Sequence, residues 1–423
     1  MNVIFARAPS RKYPASPYLL KNSGTVIMKN PHNGPRKRIA NLQHTMEDAD
    51  LDAVLLSYSR STLYYAGTTQ PSILVVTPED YHLTVIRGIE WVMNETWLKS
   101  EKISSGNGYR DVKERLTGWK IEKGRLGLEL DILPAGQYLR LLKLFSPLSI
   151  VDISKLILDQ RKIKDAEEVA HIRDACRIVH CGHQRILDVL REEMTELELS
   201  SEIEDAHRKA GHEGQYFIRQ FDFFMGTGPL SSGANLSKIA GKVASISGVG
   251  LSPSIPMGAS SKKIKKGETI VVDIPTHYRG YHGDQSRTYV LGEPERICRS
   301  MYDGMKEIAD RIIDILRPGV SCRHLYHAAF TLAEDMGMGS YFMRIGSHSR
   351  KVPFIGHGVG LELNEPPLLG NDNHEVIEEG MTIALELEMC GSVGEVVKLE
   401  DMILISSGGS EILTITPRDL HQI

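Results

Sequence analysis

Acids planted inside otherwise apolar strands constrain this chain more than any other feature of its sequence. The stretch from Thr269 to Thr288 holds Asp273 and Asp284 on what reads as two strands joined by a tight turn. Ile270, Val271 and Val272 bring in the first acid, and a Tyr278-Arg279-Gly280-Tyr281 turn leads to the second. Charged side chains usually avoid strand interiors, so an acid in each arm of one hairpin asks for a reason. Farther on, alternation over Met381–Met389 places Ile383, Leu385, Leu387 and Met389 on one face and Thr382, Ala384, Glu386 and Glu388 on the other. The run Val396–Ile405 is another strand interrupted by acids, Glu400 and Asp401. Between these lies His357, flanked by glycines in Gly356-His-Gly-Val-Gly360, where a small neighbour lets a bulky group approach the backbone.

Each feature alone suits a solvent-facing hairpin or an ordinary turn. Together they have a different physical meaning. Asp273, Asp284, Glu386 and Glu400 buried side by side would repel one another, and each would cost several kcal/mol to desolvate. Two divalent cations would neutralise the four charges. Carboxylates and one imidazole are suited to Mn²⁺, Co²⁺, Fe²⁺ or Zn²⁺ in a two-metal site.

The remainder of the sequence fits a soluble globular protein. Its 423 residues predict two or three domains, and 41% apolar with 25% charged residues is ordinary for a globular chain. A net charge of −4 gives no argument for a nucleic-acid or membrane-surface partner. Short basic clusters (Arg36–Arg38; Lys262, Lys263, Lys265, Lys266) read as solvated faces. Five scattered cysteines without a CxxC pair fit a reducing compartment, and no apolar run has signal-peptide or membrane-spanning length. The expected location is the cytoplasm.

Residues 1–35, rich in proline, read as an irregular arm. Residues 36–164 alternate helices (near Ile39–Ala49, Ile89–Leu98, Leu139–Leu144) with strands (near Ala53–Ser57, Leu126–Leu130, Leu148–Ile153) and a hairpin over 72–87, which predicts a small α/β domain with a mixed sheet. The polar Arg161–Lys164 leads into Asp165-Ala-Glu-Glu168, a helix start, and Thr195 with Glu198 starts a second helix that ends at Gly211. Two later helices, near 297–316 and 322–336, precede a β-rich stretch over 352–415.

Residues 165–423 resemble the catalytic domain of the pita-bread metallopeptidases, and residues 36–164 resemble the smaller N-terminal domain of their prolidase, aminopeptidase P and creatinase branch. The resemblance rests on Asp273 and Asp284 with the trailing Arg287–Thr288, on His357 in GHGVGLELNEPP, on Glu386 after Gly380–Met381, and on Glu400 in Leu-Glu-Asp. It implies an α/β (α+β) pita-bread fold and a homodimer, with Asp273, Asp284, His357, Glu386 and Glu400 as ligands of two divalent ions. The implied chemistry is a metal-bridged hydroxide attacking the scissile carbonyl of a Xaa-Pro peptide, with Glu386 and His357 catalytic.

Three pocket histidines of that branch are replaced here by Met257, Pro353 and Asn364. Asn364 can donate a hydrogen bond but cannot shuttle a proton. His282, His348 and Arg350 are the remaining candidates to face the substrate. The replacements keep open a non-peptidase member of the family, creatinase-like or dimethylsulfoniopropionate-lyase-like, acting on a small metabolite. A metal-free binding module ranks last, because all five ligands are present.

Overall fold

The computed structural model describes residues 33–242, 245–344, 351–391 and 394–423. The expected arm therefore lies almost wholly outside the described residues, as do His348 and Arg350. Helix α1 (Asn33–Asp48) opens the described chain and buries Ile39, Leu42 and Met46, three and four residues apart on one stripe. There follow β1 (Ala53–Leu56), α2 (Ser59–Ala66), β2 (Ser72–Val76), β3 (Tyr81–Val85), α3 (Ile89–Glu95), β4 (Ile103–Ser105), α4 (Tyr109–Gly118), β5 (Arg125–Leu128), α5 (Ala135–Phe145), β6 (Ser149–Asp152) and α6 (Ser154–Lys162). The six strands form one mixed sheet in the order β4-β3-β2-β1-β5-β6, antiparallel only across β1–β2 and β2–β3.

Helix α2 escapes a reading by hydrophobic period because its buried face is polar. Arg60 stacks on the Phe217 ring at 3.7 Å, and Ser61 donates to Glu129 at 2.8 Å.

The larger C-terminal part starts with α7 (Ala166–Val189). Asp165 accepts from the backbone N–H groups of Glu167 and Glu168, and Glu168 accepts from that of Asp165, a complete capping box. Helix α8 (Glu196–Ala210) starts with the same device at Thr195 and Glu198 and stops at Gly211, whose φ of 113° a side chain would oppose. Both helix starts were legible in the sequence.

Strands β7 (Leu230–Ser232), β8 (Thr269–Val272), β9 (Thr276–Tyr278), β10 (Tyr281–Gly283) and β11 (Arg287–Val290) precede α9 (Arg296–Ile315) and α10 (Cys322–Asp335). Strands β12 (Phe354–Gly358), β13 (Glu365–Gly370), β14 (Thr382–Cys390), β15 (Val396–Ser406), β16 (Gly409–Ile412) and β17 (His421–Gln422) complete the chain. One sheet runs β17-β11-β8-β7, a second β13-β12-β14-β15-β16, and β9–β10 pair by themselves. The apolar face of β14 (Ile383, Leu385, Leu387, Met389) packs in one core with Met301, Met305 and Ile308 of α9 and Leu325 of α10. Ile270 and Val272 of β8 do the same with Ile186 of α7 and Leu199 and Ile203 of α8. Each sheet is thus backed by a helix pair, and the polar faces of β14 and β15 are left to build the site.

Two expectations need correction. The hairpin with the two acids is interrupted: β8 pairs with β11, and the short β9–β10 hairpin is inserted between them. Asp273 and Asp284 accordingly stand just past the ends of β8 and β10 rather than inside strands, where chain direction changes and a side chain can turn inward. The basic cluster near 36–38, expected as a solvated face, is also not wholly solvated. Arg38 is buried against Asp165 (2.6 Å) and Glu168 (3.3 Å). Arg161 is buried against Glu362 (3.0 Å) and Glu365, and Lys164 lies 3.3 Å from Glu365. The Arg161 and Lys164 pairs tie the end of α6 to the segment that follows His357, and Arg38 ties α1 to the start of α7.

Candidate active site

Antiparallel register sets the carboxylates. Glu386 of β14 lies opposite Glu400 of β15, and Glu388 lies opposite Lys398, so all four side chains share one face. His357 on β12 pairs with Ala384 of β14, one step along the same sheet. Its glycine neighbours serve strand packing: a Cβ at Gly356 would lie 2.4 Å from the Ala384 carbonyl, and one at Gly358 would lie 2.3 Å from that of Pro366. Asp273 is anchored by its N–H donating to the Pro229 carbonyl at 2.9 Å. Asp284 is set by Gly283, where a Cβ would stand 2.7 Å from the α7 backbone at Ala175 and Cys176.

The five residues expected as ligands come together around one cavity of about 370 Å³, all buried. Donor atoms of Asp284, His357 and Glu400 lie within 4.8 Å of one another. One ion with bonds of about 2.2 Å spans at most about 4.4 Å, so a small inward movement closes this trio on a single cation. His357 Nδ1 lies 3.0 Å from the Gly358 carbonyl, and its Nε2 stands 3.5 Å from Glu386 and 3.8 Å from Asp284. A cation held among Nε2 and these carboxylates would serve all three groups.

Sequence reasoning passed over Lys398, although alternation from Glu400 places it on the same face. Its Nζ lies 2.7 Å from Asp273, 2.8 Å from Glu386 and 3.6 Å from Glu400. Burial opposes its charge, but these acids outweigh burial and hold the ammonium well above its ordinary pKa. The partition of that one charge is visible in the acids. Burial works against ionisation of Glu386, but Lys398 and then His357 hold its carboxyl below the usual range. Burial drives Asp284 and Glu400 well above it, reinforced by Asp273 and Glu386 at the first and by Asp284 at the second. The unmet negative charge therefore sits on Asp284 and Glu400, beside His357, and the residues fit a divalent cation there. The expected second ion, on Asp273, meets Lys398 instead.

Supporting groups are equally ordered. Ser286 Oγ donates to Glu400 at 2.7 Å, and Ser245 Oγ to Glu388 at 2.9 Å. Arg287, fully buried, donates to the backbone carbonyls of Glu400, Ser286, Thr416 and Pro417 and to the Asp401 carboxylate, which fixes β15 against β11.

The substrate-side expectations divide. Asn364 lines the cavity together with Phe354, Leu363 and Leu368. His282 does not reach it: Nδ1 bonds the Gly360 carbonyl (3.0 Å) and Nε2 accepts from the Phe217 N–H (3.2 Å). Since Leu363 N–H donates to Phe217 O at 2.7 Å, His282 supports the cavity wall from behind. Met257 is buried and Pro353 exposed, and neither lines the cavity. Arg219 and Lys242, which sequence reasoning did not single out, do line it. Both follow helix α8 in the glycine- and serine-rich stretch, where no strand or helix period marks them.

A buried carboxylate–imidazole centre held between two sheets, each backed by a helix pair, defines a metal-dependent hydrolase of the pita-bread class. Residues 170–407 match the family model of metallopeptidase family M24, and residues 38–163 that of the creatinase/prolidase N-terminal domain. The chain belongs to metallopeptidase family M24. It is 26% identical to a Xaa-Pro dipeptidase of Pyrococcus horikoshii over 91% of this chain and 98% of the relative. Among solved structures, the Xaa-Pro dipeptidase from Bacillus anthracis is similar with a TM-score of 0.77 at 24% identity, over 92% of this chain and all of that one. The prolidase from Pyrococcus furiosus is similar at 0.72 and 25% identity, over 89% of this chain and 99% of that one. Among the described residues no helix is long and apolar enough to cross a membrane.

Proposed function

We propose that this protein hydrolyses the amide bond of a small Xaa-Pro peptide, using a divalent cation held by Asp284, His357 and Glu400. The observation that carries the reading is the convergence of five expected ligands on one buried cavity. A volume of about 370 Å³ is at the small end for ligand pockets and suits a dipeptide better than a longer chain. The Xaa-Pro dipeptidases among the relatives support the same substrate class. When bound, the cation supplies Lewis-acid polarisation of the scissile carbonyl and a nucleophile at neutral pH. Carboxylate oxygens with one imidazole suit Mn²⁺, Co²⁺, Fe²⁺ or Zn²⁺.

The chain's own residues do the rest. Glu386, held ionised by Lys398 and His357, takes the proton lost by the attacking water and returns it to the leaving amine. Asn364 offers an N–H to a substrate oxygen. Lys242 in the cavity lining supplies positive charge for a free carboxylate end, beside Arg219, whose guanidinium is already paired with Glu129 and Asp131, and Phe354, Leu363 and Leu368 form an apolar wall for a proline ring. The test is release of proline from a panel of Xaa-Pro dipeptides with Mn²⁺ or Co²⁺ supplied; metal-loaded protein inert across the panel overturns the reading.

Asn364 at the cavity, where the resembling branch has a histidine, favours a second reading: a small non-peptide metabolite as substrate. A thermal-shift screen in which peptides leave the protein unmoved and a metabolite stabilises it would establish that alternative. A homodimer is the proposed assembly, read by light scattering.

A further inference from the structure

We infer that Arg219 is a positioning residue that sets which substrates the cavity admits: clamped by acids of the N-terminal domain, it fixes a cavity wall that accepts a dipeptide and excludes longer peptides. The inference rests on the peptide-hydrolase reading above and concerns what limits substrate length at that site. Strands β1 and β5 are parallel neighbours, so their carboxyl ends finish side by side. In open α/β sheets a ligand commonly sits outside such ends. Here a side chain of the larger part takes that place. Arg219 Nε donates to Asp131 Oδ2 at 2.6 Å, and its Nη2 donates to Asp131 Oδ1 at 2.8 Å and to Glu129 Oε1 at 2.9 Å. The guanidinium also lies 5.2 Å from the centre of the Tyr58 ring, and the Arg219 side chain is 5% exposed. Glu129 and Asp131 follow β5, and Tyr58 follows β1. Both acids are themselves fixed: Ser61 Oγ donates to Glu129 at 2.8 Å, and the Asp131 N–H donates to Ser154 Oγ at 3.3 Å. A two-pronged arginine–carboxylate pair sets direction as well as distance.

The segment so held is a wall of the catalytic cavity. Ile218, Arg219, Gln220, Phe223 and Met225 line it, on the irregular stretch between α8 and β7. Phe217 O accepts from the Leu363 N–H at 2.7 Å, which joins this segment to Leu363 and Asn364, also in the lining. The N-terminal domain reaches both pieces. Arg60 stacks on Phe217 at 3.7 Å, and the Tyr58 hydroxyl donates to Glu362 at 2.7 Å. The five expected metal ligands stand elsewhere, on β12, β14 and β15 and at the ends of β8 and β10. Loosening the clamp therefore moves the wall and leaves the ligands in place. The guanidinium is spent on Glu129 and Asp131, so Arg219 acts through the wall it holds. With that wall fixed, a cavity of about 370 Å³ has little space past a dipeptide.

The test replaces the two acids by their amides, which keeps shape and removes the charge that holds Arg219. Full-length Glu129→Gln/Asp131→Asn protein, loaded with Mn²⁺, is assayed on Ala-Pro and Ala-Pro-Ala beside the unaltered protein. Backbone amide exchange is followed over residues 216–226 of both. The expected result is a KM for Ala-Pro raised about 10-fold with kcat within about 2-fold, because the wall touches substrate away from the ligands. The kcat/KM preference for Ala-Pro over Ala-Pro-Ala should fall by about 10-fold, and residues 216–226 should exchange faster. An unchanged preference in the folded variant, or a loss confined to kcat, overturns the inference. Equal cleavage of the two peptides by the unaltered protein also overturns it and leaves the hydrolase reading intact. Should the double variant fail to fold, Asp131→Asn alone decides: its side chain is 35% exposed, and the preference should still fall by about 3-fold. Unaltered protein that cleaves neither peptide overturns the hydrolase reading; exchange then judges the clamp, and unchanged rates over 216–226 in the variant overturn it.

Discussion

Removing Arg161 should weaken the junction between the two parts of the chain by several kcal/mol. Its guanidinium, 1% exposed, is the nearest cation to Glu362 and pairs also with Glu365, whose side chains are 0% and 2% exposed. In Arg161→Ala, Glu362 keeps the Tyr58 hydroxyl (2.7 Å) and Glu365 keeps Lys164 (3.3 Å), but the charge between them is gone. Breaking a buried ion pair from one side costs about 3–5 kcal/mol, because the remaining charge stays desolvated. An unfolding entropy of about 2.1 cal/mol/K per residue over 423 residues amounts to about 0.9 kcal/mol/K, so a single transition should fall by about 3–6 °C. The deficit should shrink on acidification. In the intact protein burial alone would raise the Glu365 pKa, but Arg161 and Lys164 hold it below its ordinary value, and the variant loses the larger of those two effects. The assay is differential scanning fluorimetry and urea unfolding at pH 7 and pH 5. Lys155→Ala serves as control on the same helix: its side chain is 76% exposed, and its ion pair with Asp159 should contribute well under about 1 kcal/mol. An Arg161→Ala transition within about 1 °C of the unaltered protein would refute the reasoning.

Glu386→Gln should lower the hydrolysis rate by about 10²- to 10⁴-fold without unfolding the protein, read as kcat on a Xaa-Pro dipeptide beside a circular-dichroism melt. Gly283→Ala should cost about 1–3 kcal/mol and loosen metal binding, since its methyl group meets the α7 backbone directly before Asp284; a melt and a metal titration check both effects. Mn²⁺ at about 100 times its dissociation constant should stabilise the protein by about 2.7 kcal/mol, and a chelator should reverse the gain, both read by thermal shift. Acid should destabilise the fold. Burial, helped by neighbouring histidines, depresses His183 and His207 to about 3, and burial depresses His212 to about 4 despite a hydrogen bond from the backbone side. Below about pH 6.5 the unfolded chain binds protons that these buried rings refuse. Stability should fall by up to about 1.4 kcal/mol per histidine per pH unit until the folded values are reached, as urea midpoints between pH 7.5 and 5 would show.

Much of the site was legible because its determinants are local. A period of two puts Glu386 and Glu388 opposite the apolar face of β14, and the structure keeps that division. Asp165 with Glu168, and Thr195 with Glu198, start their helices through bonds made within four residues. Local signals stop where partners come from distant segments. Helix α2 was missed because its polar residues face Phe217 and Glu129, far away in sequence. Arg38 read as solvated because nothing adjacent announces the buried acids it meets, and nothing in the polar Arg161–Lys164 stretch announces Glu362 and Glu365. His282 lies two residues before Asp284, but β9 and the Phe217 segment claim both faces of its ring region and turn it from the cavity.

The sequence by itself determined which residues could hold a cation: five candidate ligands of three types, two aspartates, two glutamates and one glycine-flanked histidine. Only the tertiary structure decided how those residues share charge. Lys398 is one lysine among many until β15 is laid beside β14 and β8 brings Asp273 within 2.7 Å of it. Electrostatic partition depends on distances across strands, which spacing along the chain does not encode.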